Sequence, residues 1–330
     1  MSLDAAADAA IDAWLKPYSG EVPGASLLVR QGGRDRLAIG RGLADLEARA
    51  PATPDTAYRL AAISKQFTAA CVLLLSEQHK LSLRDPVRRW LPVLPASHAS
   101  ITLLDLLTHR SGLPDYEDLL APGVGQLRDH DVLELLAARQ ALDFAAGSAY
   151  RYNNGGYALL ALVVERASGM DFASFLRERI FRPLGMDNSL ARVEGGPPVA
   201  NRAYGYSEFE GSWQRTDQGP TTAVLGDGGI YSSIADLARW DEAWEDARLL
   251  SDASRRLATS AWSATDDPGT RYGLGWRISG DCTWHSGESL GFRNVLLRIP
   301  SRRLTVVMLS NRDDPEPGTA AMTIARLLVG

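Results

Sequence analysis

A lysine three residues beyond Ala62 is the first chemical signal in this chain. Ala62-Ile63-Ser64-Lys65 opens an apolar run that continues through Gln66-Phe67-Thr68-Ala69-Ala70-Cys71 with helical spacing. Residues three apart on a helix share a face, so a nucleophile at position 62 would sit beside the Lys65 amine. Burial lowers a lysine's pKa, and a lysine so lowered can take a nucleophile's proton. Alanine offers no such nucleophile. Ser64 does not replace it, because adjacent helical residues point about 100° apart and Ser64 would face away from Lys65. Standing alone, a helical lysine is more often simply solvated.

Two further constellations could complete such a site. Tyr152-Asn153-Asn154 precedes Gly155-Gly156 and a helical run. A phenol can pass a proton between nucleophile and leaving group, and an amide can hold a substrate carbonyl while bonding a nearby lysine. The bland alternative is a turn before a helix, with Asn154 as a local cap. His285-Ser286-Gly287 follows Thr283-Trp284 on an expected strand edge. Such an edge can lend a backbone N–H to an oxyanion hole, and glycine lets a substrate approach the backbone. His285 would supply a donor over the site, or else serve as a satisfied structural histidine.

The elements that must position these residues are legible from periodicity. Apolar spacing predicts a helix over 4–15, a strand over 25–29 and its returning arm over 36–40 after the Gly32-Gly33 turn. Strand-like runs recur over 272–278, 293–299 and 304–309, and a helix over 319–329 closes the chain. Between these ends lie helical runs over 65–79, 102–108, 132–139, 157–167, 172–180 and 234–245. Strands first and last with helices between them predict an α/β (α+β) fold: an antiparallel sheet flanked by helices, with an inserted helical lobe. The expected division is 1–75 with 270–330 for the sheet lobe and 76–269 for the mainly helical lobe, with a cleft between them as the substrate site.

Composition narrows the partner. A net charge of −5, with both signs spread along 330 residues, argues against nucleic acid and anionic membranes and leaves a small-molecule substrate. The oligomeric state is not written in the sequence. Cys71 and Cys282 read as two buried thiols rather than a disulfide or metal framework. No cofactor and no metal is expected, because the candidate groups are an amine, a phenol and backbone donors rather than a histidine and carboxylate cluster. Residues 1–14 lack a basic patch followed by an apolar stretch, so neither a signal peptide nor a membrane anchor is expected. The expected location is cytoplasmic, or periplasmic for a chain whose leader has been removed.

Taken in order, the motifs resemble the serine β-lactamase-like family that includes class C β-lactamases, penicillin-binding proteins, D-stereospecific peptidases and carboxylesterases. That family carries Ser-x-x-Lys at a helix start, Tyr-x-Asn in the helical lobe and Lys- or His-x-Gly on an inner strand. Further matching segments are Thr56-Ala57-Tyr58-Arg59, the run from Leu106 through His109 to Pro114, the run from Phe181 to Met186, and the run from Gly228 to Ala238. The resemblance implies a serine hydrolase working through an acyl-enzyme on an ester, an amide or a D-amino-acid peptide. Lys65 would be its base, Tyr152 the proton carrier and Asn154 the substrate-orienting amide. The N–H groups of residue 62 and of Glu288, just past His285-Ser286-Gly287, would form the oxyanion hole. Asp105 and His109 would support a buried loop, and Gly228-Gly229 would shape a loop near the cleft.

Two departures bear on function. His285 stands where β-lactam-processing members usually carry lysine, and a neutral imidazole does not replace a permanent cation that pairs with a carboxylate. This shifts the expected substrate from penicillins toward esters, D-amino-acid amides or small acylated compounds. Ala62 stands at the nucleophile position and cannot form an acyl-enzyme, so the chain as written is expected to be inactive. Either a serine was replaced to silence the enzyme or trap a complex, or the chain is a natural ligand-binding pseudoenzyme. A weak non-covalent hydrolase using Lys65, Tyr152 and water is a third reading. The intact Lys65, Tyr152, Asn154 and His285 favour the first.

Overall fold

Strands without a polar face need cover on both sides, and the two ends of the chain supply such strands to one sheet. The computed structural model describes residues 3–330. Its sheet comprises β1 (Ala25–Gln31), β2 (Arg34–Arg41), β3 (Ser263–Ala264), β4 (Arg271–Tyr272), β5 (Arg277–Ser279), β6 (Cys282–Ser289), β7 (Phe292–Ile299) and β8 (Leu304–Ser310). The spatial order is β3-β4-β5-β6-β7-β8-β1-β2, antiparallel at every junction. The main helices are α1 (Ala5–Leu15), α2 (Ser64–Glu77), α3 (Asp129–Ala137), α4 (Asn154–Ser168), α5 (Ile234–Ala243) and α6 (Gly318–Val329).

Alternation along the strands sorts their side chains into two cores. Leu27, Val29, Val306 and Met308 pack outward with Ile11 and Trp14 of α1 and Ile324 of α6. Leu28, Leu296, Val307 and Leu309 face inward and join the larger core with Phe67 of α2, Leu159 of α4 and Trp240 of α5. The cover of α5 over the sheet is also ionic. Asp241 accepts from Arg30 Nε (3.2 Å), Arg298 Nε (2.7 Å) and Thr305 Oγ1 (2.6 Å), and all four residues are buried.

One sequence expectation changes here. The run expected as one strand over 272–278 is two short strands, β4 and β5, paired with each other through Arg271 opposite Ile278 and Tyr272 opposite Arg277. Gly275 turns the chain between them with φ of 79°, and a Cβ there would stand 2.7 Å from the Lys65 carbonyl oxygen. A glycine is therefore needed where this hairpin rests on α2. β3 joins the same sheet from residues before 270, and α5 packs on the sheet from within 76–269.

Candidate active site

Position 62 is presented by a strand-to-helix corner. Tyr58–Arg59 pairs with Ile230–Ser232, and Leu60 N–H donates to the Ile230 carbonyl at 2.8 Å. A single 3-10 turn, Ala61–Ile63, then feeds α2. Ala61 carries this corner with φ of 52°, a left-handed backbone uncommon for a residue with a side chain. Ser64 is fully buried with its Oγ accepting the Ile230 N–H at 3.2 Å, so it is spent on structure. Gly287 of β6 has a structural reason the sequence did not reveal. A Cβ on it would stand 2.0 Å from the Leu60 carbonyl oxygen, so the close neighbour of this glycine is the corner carrying Ala62.

Lys65 lies one helical turn beyond Ala62, fully buried. Its Nζ donates to Asn154 Oδ1 at 2.7 Å and to the Asp227 carbonyl at 2.9 Å. Two donated bonds use both N–H groups of a neutral amine and leave its lone pair free. Burial draws Lys65 down to about 8, with the Asp227 and Glu117 carboxylates opposing and Arg277 assisting. Asn154 is in turn held by Glu117, whose Oε1 accepts its Nδ2 at 2.8 Å. The capping role falls to Asn153 rather than Asn154, since the Asn153 side chain accepts the Gly156 N–H at 3.2 Å.

The Tyr152 ring centroid is 4.9 Å from Lys65 Nζ, and among the described residues its buried hydroxyl has no hydrogen-bond partner. Burial pushes that phenol well above its ordinary pKa, so it stays protonated. His285 is buried, and both its ring nitrogens are engaged. Nδ1 faces the Ser286 carbonyl at 2.6 Å, and Nε2 faces the Tyr272 hydroxyl at 3.0 Å. A carbonyl can only accept, so the proton sits on Nδ1 and Tyr272 donates to Nε2. Burial first, then Arg277 and Lys65, hold His285 well below its ordinary pKa. The expected donor over the site is therefore turned back into β6 and β4 in this geometry.

The cation on this wall comes from Arg277 on β5, directly across from Trp284. Its guanidinium carbon lies 5.3 Å from the Tyr152 ring centroid, 5.5 Å from that of Tyr272 and 5.6 Å from that of Trp284. Among the described residues no carboxylate pairs with it. Sequence reading missed Arg277 because a one-strand reading of this run hid the hairpin that aims it. It also missed Asp227, immediately before Gly228-Gly229. Burial raises the Asp227 carboxyl to about 6, against the pull of Lys65 and Arg59, and Tyr116 donates to it at 3.2 Å. Asp129, at the start of α3, fixes the same loop by accepting the Leu225 and Gly226 N–H groups at 2.8 and 2.9 Å.

These groups share one cavity of about 380 Å³. Ala62, Lys65, Tyr152, Asn154, His285, Ser286 and Glu288 all line it, with Glu117, Asp227, Gly228 and Arg277; Gly287 is not among the lining residues. Such a cavity sets an amine, a phenol and a cation around the methyl group of residue 62. Among the described residues there is no grouping of three or more histidine, cysteine, aspartate or glutamate side chains suited to a metal. No described helix is long and apolar enough to cross a membrane.

A family model described as Beta-lactamase matches residues 7–330. The chain is 30% identical over 310 residues to penicillin-binding protein 4* of Bacillus subtilis, covering 88% of this chain and 68% of that one. It is 29% identical over 342 residues to a D-aminopeptidase of Gluconobacter oxydans, covering 99% of this chain but 62% of that relative's length. Among solved structures, the octameric penicillin-binding protein homologue from Pyrococcus abyssi superposes with a TM-score of 0.85 at 27% identity. That match covers 98% of this chain and 77% of the other.

Proposed function

The chain belongs to the β-lactamase family, and from that premise we propose that its cleft, between a sheet lobe and a helical lobe, is an acyl-transfer site of a serine hydrolase that lacks its nucleophile. The observation that carries this reading is the Lys65 amine, stripped of water and held by two acceptors one helical turn from Ala62. With a hydroxyl at position 62, Lys65 takes its proton as the oxygen attacks a substrate carbonyl. The N–H groups of residues 62 and 288 receive the developing oxyanion. Tyr152 gives a proton to the departing alcohol or amine, and the acyl group then passes from residue 62 to water. As the chain stands, Ala62 stops the first step, and the cleft binds without turning over.

Substrates in this reading are esters, amides or D-amino-acid peptides, the last in keeping with the D-aminopeptidase relative. Arg277 adds a preference for substrates carrying a carboxylate, because a guanidinium on the wall with no carboxylate partner among the described residues is a ready bidentate partner. The same observation revises the inference drawn from His285, since the cation missing from β6 is supplied from β5. A binding-only reading rests on Ala62 alone. The test is acetyl-ester turnover by the Ala62→Ser chain, with Ala62→Ser plus Lys65→Ala and Ala62→Ser plus Tyr152→Phe as controls. Turnover restricted to the single serine variant supports the proposal. A folded but inert serine variant leaves the binding-only reading.

A further inference from the structure

The tyrosine of the cleft is bracketed by a residue outside it. His109, in the loop after the short helix Leu103–Leu107, is buried and adopts the left-handed backbone with φ of 59°. Its carbonyl accepts the Arg151 N–H at 2.9 Å, and its ring Nδ1 accepts the Asn153 N–H at 3.0 Å. One residue thus ties down the backbone on both sides of Tyr152. Its ring also lies against the Tyr152 ring, with centroids 4.4 Å apart and planes 38° apart, and Tyr272 closes in at 4.5 Å. Asn153, so held, caps α4, whose first residue is Asn154.

We propose that His109 is a positioning residue for the reaction, one that sets the Tyr152 ring and, through Asn153, the Asn154 amide that receives Lys65. The inference rests on reading the cleft as a hydrolase site. A backbone N–H can only donate, so Nδ1 must be bare and the ring neutral with its proton on Nε2. The strained backbone at 109 agrees with this function. Few residues other than glycine accept φ near 60°, and asparagine is foremost among those that also carry an acceptor on a short side chain. Asparagine is thus the natural rescue, since Oδ1 can take the place of Nδ1, whereas alanine keeps neither the acceptor nor the ring.

The test has two arms. In the chain with Ala62, amide hydrogen exchange across residues 151–156 reads the clamp directly. His109→Ala should speed exchange at Asn153 by about tenfold or more, a loss of about 1.4 kcal/mol of local protection, and His109→Asn should stay within about threefold of the parent. In the Ala62→Ser background, His109→Ala should lower kcat on an activated ester by about 10²-fold with KM little changed, while His109→Asn recovers most of it. An inert Ala62→Ser chain refutes the hydrolase reading and leaves the exchange arm to judge the clamp. If His109→Ala folds with unchanged exchange and unchanged kcat, or His109→Asn is as impaired as His109→Ala, His109 is not a positioning residue.

Discussion

Lys65 gives the sharpest quantitative handle on the proposed chemistry. Drawn down to about 8 by burial, it should be neutral in about one molecule in eleven at pH 7 and in about ten of eleven at pH 9. If the neutral amine activates a hydroxyl at position 62, kcat/KM of the Ala62→Ser chain on an uncharged activated ester should rise about tenfold across that interval and then level. An ordinary lysine near 10.5 would instead give about a hundredfold rise over the same two pH units, still climbing at pH 9. The carboxylates around the amine supply a control of known sign. Glu117 and Asp227 favour the ammonium, so removing a negative charge with Glu117→Gln, which keeps an acceptor for Asn154, should move the inflection to lower pH. Initial rates in matched buffers from pH 6 to 10 decide the matter. A rise that continues past pH 9, or a Glu117→Gln shift to higher pH, would refute Lys65 as a base activated by burial.

Arg277→Leu in the Ala62→Ser background should weaken kcat/KM about tenfold or more for an ester bearing a carboxylate and change a neutral ester of the same size by less than about threefold. Equal losses on both esters would show that Arg277 acts through Tyr152 and not on substrate. Asp241→Asn should cost about 3 kcal/mol by urea unfolding, at the lower end for a broken buried ion pair, because Glu242 still holds Arg30 and Glu245 still holds Arg298. A loss under 1 kcal/mol would mean the network over the sheet is not a main tie to α5.

What the sequence disclosed and withheld follows from the range of the interactions involved. Periodicity located most of the long strands and helices, because each is set by residues a few positions apart, whereas β6 was legible only as an expected strand edge at His285. It merged β4 and β5, because their turn is fixed by contact between Gly275 and the backbone of Lys65, some 210 positions away in the chain. The three short motifs marked Lys65, Tyr152, Asn154 and His285, which the cavity brings together. Asp227 and Glu117 were not legible, since an acidic residue in a loop is unremarkable until its surroundings are seen to be dry or its oxygen is found on a functional amide. Gly287 was read as room for a substrate, and only the fold shows that the Leu60 carbonyl oxygen is the close neighbour that requires a glycine there.

The costs built into the cleft bear on what Ala62 means. Ala61 holds a left-handed corner that is expected to cost about 1 kcal/mol or more, and His109, outside the cleft but against Tyr152, holds a second. Lys65 is a further cost, and one that depends on pH. Because its folded pKa lies below the ordinary 10.5, the folded state is penalised fully below pH 8 and progressively less as pH rises from 8 toward 10.5, by about 3 kcal/mol in all. A cleft that only bound a ligand would gain by relaxing the corner and by replacing a buried amine with an apolar side chain. A proton-transfer site needs each of them, the corner to present residue 62 and the desolvated amine to stay basic yet uncharged. The strained corner and the desolvated amine surround a methyl group too small to use them, which is in keeping with the proposal of a site that lacks its nucleophile.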